Sequence, residues 1–424
     1  MMQTMKQIQQ SIITSKELLR TNFDVKTSFT LAQSNINKEV DDILEMQHKE
    51  IPVIPEIDYK SIVNEDVSRT EISNLKRRGA VIIRNVFDDQ QASEWNDEVS
   101  EYILSNDYFT KSIDRQGMDQ YFSQLKSGAP QIFGIYWSKP QMLARQSKSM
   151  ANTKKFLNSM WDISSPYGDE FDPNNDFIYA DRIRRREPGD KTLGLSPHID
   201  GGSFERWIDP AFQKVYRSVF NGDLKSYNPW NASYRTHTKE YKSPAVCSMF
   251  RTFQGWTALT AQGPSDGTLS LIPISNSMSY LLLRALQDDI SPESLCGAVP
   301  GRPLLISPNY HKELLGGLIP IQDVNPGDTV WWHPDLTHSV ADKHTGKDYS
   351  NVMFIGSSPQ CQKNLDYAKR QTENFLLGKS PPDFAAEDYE GAAVSAIDPL
   401  PLMRDINNFV WHIGEWTGED WLQW

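Results

Sequence analysis

Cysteine is scarce: Cys247, Cys296 and Cys361 are the only three in 424 residues. An odd, widely spaced set argues against a disulfide framework and reads as reduced thiols, small buried hydrophobes of a cytoplasmic protein. Long apolar runs are missing as well. No stretch approaches the roughly 18 apolar residues of a membrane span, and Met1 to Gln10 lacks the apolar run of a signal peptide. Positive charge is in deficit, with 43 Lys and Arg against 55 Asp and Glu, a net charge of −12. Nucleic acid and anionic membrane both reward basic surfaces, so neither is expected as a partner. A local basic pocket for a small anion remains compatible. There is no internal repeat, no low-complexity block and no regular alternation of strand and helix.

What is present is material for a large core: 38% hydrophobic residues, including 12 Trp, 16 Tyr and 18 Phe. Residues 1–55 read as an N-terminal helical extension. Ile8, Ile12, Leu18 and Leu19 fit helical spacing loosely, and Lys38 to Glu50 fits better, before Ile51-Pro52-Val53-Ile54-Pro55 breaks it. Gly79 to Phe87 reads as a buried strand, followed by a helix through Trp95, Val99, Tyr102 and Ile103. Met142 to Met160 is helical in composition. Strands are expected at Phe177 to Arg185, Ser248 to Thr260, Thr329 to His333 and Asn351 to Ile355. A helical stripe falls on Phe212, Val215, Tyr216, Val219 and Phe220. Many short strands bounded by turns favour a mainly β fold with added helices on a double-stranded β-helix, a cupin-like jelly roll. The domain would span 56–375, with a lid-like insertion at about 203–245. Residues 376–424, carrying Phe409, Trp411, Trp416, Trp421 and Trp424, are expected to pack back on the core.

One stretch carries metal chemistry. In Ser196-Pro197-His198-Ile199-Asp200-Gly201-Gly202 an imidazole and a carboxylate stand two residues apart. On a strand, side chains at i and i+2 share a face. His198 and Asp200 would then supply two of the three ligands of a facial triad, the site of non-haem Fe(II) oxygenases. Of eight histidines, His338 suits the third position. It follows the turn Asn325-Pro326-Gly327-Asp328 and the strand Thr329 to Trp332. His333 is a rival, but it ends an aromatic strand and reads as core.

The segment Gly327-Asp328-Thr329-Val330-Trp331-Trp332-His333-Pro334-Asp335-Leu336-Thr337-His338-Ser339 resembles the distal-histidine segment of the Fe(II)/2-oxoglutarate oxygenases, clavaminate-synthase-like in fold. Asp266-Gly267-Thr268-Leu269 followed by Pro273 is similar to another of their strands, with Ile274 where a glycine is usual. More narrowly, Tyr179 to Arg182, Pro197 to Trp207 and Phe250 to Trp256 resemble the YbiU-like proteins. The resemblance covers roughly residues 60–375. It implies Fe(II) on His198, Asp200 and His338, with 2-oxoglutarate and O2 as co-substrates. The reaction implied is oxidation of a C–H bond of a small molecule, an amino acid or other carboxylate among the candidates, with succinate and CO2 released.

The keto acid's far carboxylate needs a cation, ideally a guanidinium. Relatives place an arginine shortly after the distal histidine, whereas here none follows His338 before Arg370. Arg251, among aromatics, is the first substitute and Lys347 the second. Arg182 and Arg184, at i and i+2, are others. Arg251 is equally readable as half of a buried structural salt bridge. Glu205-Arg206-Trp207 either lines the pocket or opens a helix with an exposed ion pair. Two alternatives stand beside the oxygenase: a cupin-type metal enzyme without 2-oxoglutarate, and a non-catalytic binding protein. The sequence leaves the oligomeric state open.

Overall fold

The computed structural model describes residues 5–105, 131–189, 196–240, 247–376 and 381–383. The strand Ala80–Arg84 shows how the fold is layered. Its side chains alternate, as pleating requires. Ala80 and Ile82 join an inner cluster with Trp256, Leu269, Leu271, Val330, Trp332 and Val352. Val81 and Ile83 point the other way, onto Trp95, Val99, Leu157, Trp331 and Met353. Both faces of this strand are covered, so it is apolar from Ala80 to Ile83 rather than alternating.

The larger sheet has seven strands, in the order Glu56–Asp58, Ala80–Arg84, Thr329–Trp332, Phe253–Ala258, Ser350–Ser357, Ile183–Arg186 and Ile132–Phe133. All neighbours are antiparallel except the first pair. The smaller sheet has five antiparallel strands: Leu304–Leu305, His198–Ile199, His338–Val340, Leu269–Leu271 and Ile319–Pro320. The inner cluster lies between the two sheets. Among the described residues the sheets form no closed barrel, and helices take a larger share than a mainly β reading expects. The architecture is mixed α/β.

Helices cover the outer faces. Val25–His48 starts where the Asp24 carboxylate accepts the Thr27 N–H at 3.1 Å, and it buries Ala32, Ile36, Val40 and Ile43. That face packs on Met278–Arg284 and Pro308–Leu315. Met5–Asn22 buries Ile8, Ile12 and Leu19, while Leu18 stays 55% exposed. Its Lys16 ammonium donates to the Ser291 and Ser294 carbonyls at 2.8 Å, and Ser15 donates to the Trp207 carbonyl at 2.7 Å. The N-terminal helices therefore brace the segment that follows the His-x-Asp stretch. The helix Arg69–Arg78 ends on Gly79, whose φ of 69° is a left-handed value that a side chain would strain.

Three local expectations change. The stripe at 212–220 is two short helices, Pro210–Val215 and Arg217–Phe220, because Tyr216 leaves helical geometry and gives its hydroxyl to Asp335 at 2.9 Å. Phe177 to Arg185 pairs as a strand only over Ile183–Arg186. Before that, side chains replace the ladder: Ala180 N–H donates to Gln371 at 3.0 Å, and Gln371 donates to the Ile178 carbonyl at 2.7 Å. Met142 to Met160 is two helices, Lys139–Arg145 and Lys148–Asn158. Phe409 and the terminal tryptophans lie outside the described residues. No helix among the described residues is long and apolar enough to cross a membrane.

Candidate metal centre

His198 and His338 sit directly opposite each other on adjacent antiparallel strands. Their rings are 4.3 Å apart between centroids. Asp200 follows one strand residue later, while Ile199 between them turns to the outer core. The ligand atoms of His198, Asp200 and His338 all lie within 4.8 Å of one another. His198 Nε2 is 3.6 Å from one Asp200 oxygen and His338 Nε2 is 3.7 Å from the other. Gly201 and Gly202 then turn the chain at φ 75° and 102°, and a Cβ on Gly202 would lie 3.1 Å from Phe212.

The far side of each ligand is already spent. His198 Nδ1–H donates to the Ser196 carbonyl at 2.7 Å, and His338 Nδ1–H to the Leu336 carbonyl at 3.2 Å. Those bonds fix the tautomer that leaves both Nε2 lone pairs facing Asp200, the arrangement metal-binding imidazoles use. Gln254 donates its amide to Asp200 Oδ2 at 2.7 Å and accepts the Trp332 indole N–H at 2.6 Å. Burial, reinforced by His198 alongside, pushes the His338 imidazole down to about 3, so it is neutral near pH 7. Burial works to raise Asp200, but His338, His198 and Arg251 hold its carboxyl at about 2. Two imidazoles and one carboxylate are a donor set suited to a divalent transition metal.

His333 is not part of this group. Its ring stacks on Trp161 at 4.8 Å, its Nε2–H donates to the Pro229 carbonyl and its Nδ1 accepts the Asp335 N–H, each at 3.0 Å. Glu205 and Arg206 are each only 2% exposed, so the exposed ion pair is ruled out. Arg206 donates to the Asp200 carbonyl at 2.9 Å and to the Asp335 carboxylate at 2.8 Å. Arg235 meets the other Asp335 oxygen at 2.8 Å. This network ties the turn after Asp200 to the loop that carries His338.

The cations sort by position. Arg182, Arg184 and Arg251 line the same cavity as the three ligands, walled by Trp256, Leu269, Trp332 and Phe354. Arg182 is paired with Asp181 at 3.2 Å. Arg184 is buried, donates to the Gly267 carbonyl at 2.6 Å, and has Arg186 rather than an acid beside it. Burial and that like charge lower it to about 9. Lys347 is exposed in the turn before Ser350–Ser357 and does not reach the cavity. Arg184 pairs with Val352, on the strand after His338–Val340. Gln254 and Asp335 were not singled out in the sequence. The signal for Gln254 was an amide inside an otherwise apolar strand.

Residues 5–400 match the Gig2-like family. The chain belongs to that family. Among its relatives, the uncharacterised protein YbiU of Escherichia coli K12 is 40% identical over 378 residues, 88% of this chain and 89% of YbiU. A Salmonella typhimurium LT2 protein, described provisionally as an oxidoreductase, is 39% identical. Its structure superposes with a TM-score of 0.86 over 90% of this chain and 92% of its own. The GlcNAc-inducible Gig2 of Candida albicans is 28% identical, with a TM-score of 0.76 over 91% of this chain and 86% of its own. The YbiU resemblance read from short motifs thus extends along nearly the whole Gig2-like chain.

Proposed function

We propose that this Gig2-like protein is a non-haem Fe(II)/2-oxoglutarate-dependent oxygenase acting on a small molecule. The observation that carries the reading is the convergence of His198 Nε2, His338 Nε2 and the Asp200 carboxylate, with Arg184 buried in the same cavity. The strand order supports it. Ile183–Arg186, His198–Ile199, Phe253–Ala258, Leu269–Leu271, Ile319–Pro320, Thr329–Trp332, His338–Val340 and Ser350–Ser357 distribute over two facing sheets as a double-stranded β-helix does.

The residues fit the implied groups. His198, Asp200 and His338 would hold iron, and Arg184 would hold the far carboxylate of 2-oxoglutarate. Bound there, these groups supply O2 activation coupled to decarboxylation of the keto acid, with oxidation of a substrate C–H bond. The chain itself does the rest. The Ser196 and Leu336 carbonyls orient the imidazoles, and Gln254 fixes the rotation of the Asp200 carboxylate. Trp256, Leu269, Trp332 and Phe354 keep the cavity poor in water, which strengthens every charge contact inside it. Arg184 presents a guanidinium that no acid of the described chain neutralises.

Anaerobic protein given Fe(II) and 2-oxoglutarate should develop the weak visible charge-transfer band of the chelate and release succinate when O2 is admitted. His198→Ala should abolish the band. Absence of both band and succinate in the unmutated protein would sink the proposal, and a metal enzyme indifferent to 2-oxoglutarate would then be the reading left.

A further inference from the structure

Arg251 is the charged group at the centre that the proposed chemistry leaves unused. It is 8% exposed and follows Phe250 in an aromatic stretch. Its guanidinium lies over the Tyr179 ring, 5.4 Å from the centroid. Its stem rests against Gly356, where a Cβ would sit 2.9 Å from Arg251 Cδ, so the neighbouring strand makes room for it. Yet it makes no hydrogen bond or ion pair with any described residue. The arginines nearby do: Arg182 with Asp181, Arg206 and Arg235 with Asp335, Arg184 with the Gly267 carbonyl. A buried guanidinium with no acceptor is costly unless an anion or water meets it.

Its position says from which side. Arg251 lines the cavity of the metal ligands and also a second chamber, the two sharing Asp200, Cys247, Arg251 and Gln254. The second chamber shares Thr238, Glu240 and Lys363 with a surface basin of about 1270 Å³, so it lies between that basin and the candidate metal centre. Within that chamber Arg206 and Arg235 are matched by Asp335, and Lys363 by Glu240 at 2.9 Å. Asp200 and Asp181 act on Arg251 through space but accept no hydrogen bond from it, which leaves Arg251 as the one cation of the chamber's described lining whose N–H groups have no acceptor. The walls there include Phe212, Val215, Met249, Phe250 and Pro334.

We infer that Arg251 recognises a carboxylate on the primary substrate, a small organic monoanion with an apolar skeleton that arrives through this second chamber. The inference rests on the oxygenase reading for its word "substrate". One planar fork suits one carboxylate, which takes two parallel N–H bonds. A phosphate dianion would bring a second charge with no partner. The apolar walls take the carbon skeleton and hold its C–H bonds beside the metal ligands.

The test uses the metal-free full chain, so that it does not depend on iron or on 2-oxoglutarate. Butyrate, hexanoate, benzoate and phenylacetate are each compared with their primary amides and with inorganic phosphate by ligand-observed NMR. At least one acid should bind, with its amide at least tenfold weaker. Arg251→Gln should weaken that acid at least tenfold, Arg251→Lys should retain part of the affinity, and Arg184→Gln should bind it like the unmutated protein. Circular dichroism confirms that each variant is folded. The inference is overturned if no acid binds, if amide and acid bind equally, if phosphate binds more tightly than every acid, or if Arg251→Gln binds like the unmutated chain. Failure of the oxygenase reading would show separately, as a missing charge-transfer band in the iron-loaded protein.

Discussion

Gln254 holds Asp200 from behind. Its amide N–H reaches Asp200 Oδ2 at 2.7 Å while its carbonyl takes the Trp332 indole at 2.6 Å. The carboxylate that would face a metal is thereby set by the larger sheet, although Asp200 itself extends the smaller one. Partners of this kind typically contribute 10–100-fold in metal affinity. Gln254→Leu should therefore raise the Co(II) dissociation constant by about that factor while melting within a few degrees of the unmutated protein. Unchanged Co(II) affinity would show that Asp200 needs no such support.

Arg184 makes a different prediction, because it touches no ligand of the metal. Losing one charge-assisted contact is worth about 1.5–3 kcal/mol, or roughly 10–150-fold. Arg184→Gln should raise the 2-oxoglutarate dissociation constant by that factor and leave Co(II) binding as it was. Equal 2-oxoglutarate affinity would place the anchor elsewhere in the cavity.

The Arg206–Asp335 pair should matter to folding far more than any surface pair. Both side chains are 2% exposed and 2.8 Å apart. Asp335→Asn removes the charge that Arg206 and Arg235 share, and uncompensated buried charge costs about 3–5 kcal/mol. The Lys49–Glu45 pair is 56% and 63% exposed, and Lys49→Ala should change stability by less than about 0.5 kcal/mol. Urea denaturation of the two variants measures the contrast, and a similar small loss in both would contradict it.

Acid should destabilise the metal-free protein well above the carboxylate range. Burial lowers the His333 imidazole from 6.5 to about 3 and that of His311 to about 4. Between pH 6.5 and those values the unfolded chain binds protons that the folded chain refuses. Stability thus falls as pH falls, by about 1.4 kcal/mol per pH unit for each such imidazole near pH 5. Thermal melts from pH 7 to pH 5 should show a steep decline, and His333→Gln should flatten it by about one group. A melting temperature indifferent to pH across that range would refute the assignment of these rings as buried and neutral.

Much of the centre was legible before any fold was known, for a simple geometric reason. His198 and Asp200 lie two residues apart on extended backbone, so their convergence follows from strand geometry alone. His338 follows a strong turn and a short strand, and its place beside His198 needed only that the strands pair. The apolar run Ala80 to Ile83 likewise announced a strand covered on both faces. Helix 25–48 was harder, because its buried stripe of Ala32, Ile36, Val40 and Ile43 is thin and embedded in polar residues. Tyr216 breaks its helix for the sake of a hydroxyl bond to Asp335, 119 residues away, which no local pattern encodes.

The sequence by itself determined the candidate ligand types, their spacing, the strands that carry them, and the absence of an arginine just past His338. Tertiary structure alone decided where the buried guanidinium groups stand relative to the candidate centre. Pairing of Val352 with Arg184 puts a guanidinium on the adjacent strand, and burial without a hydrogen-bonded acid distinguishes Arg184 and Arg251 from the paired Arg182 and the exposed Lys347. Charge and residue type are local properties, whereas whether a charge is neutralised depends on which distant groups folding brings within a few ångströms of it.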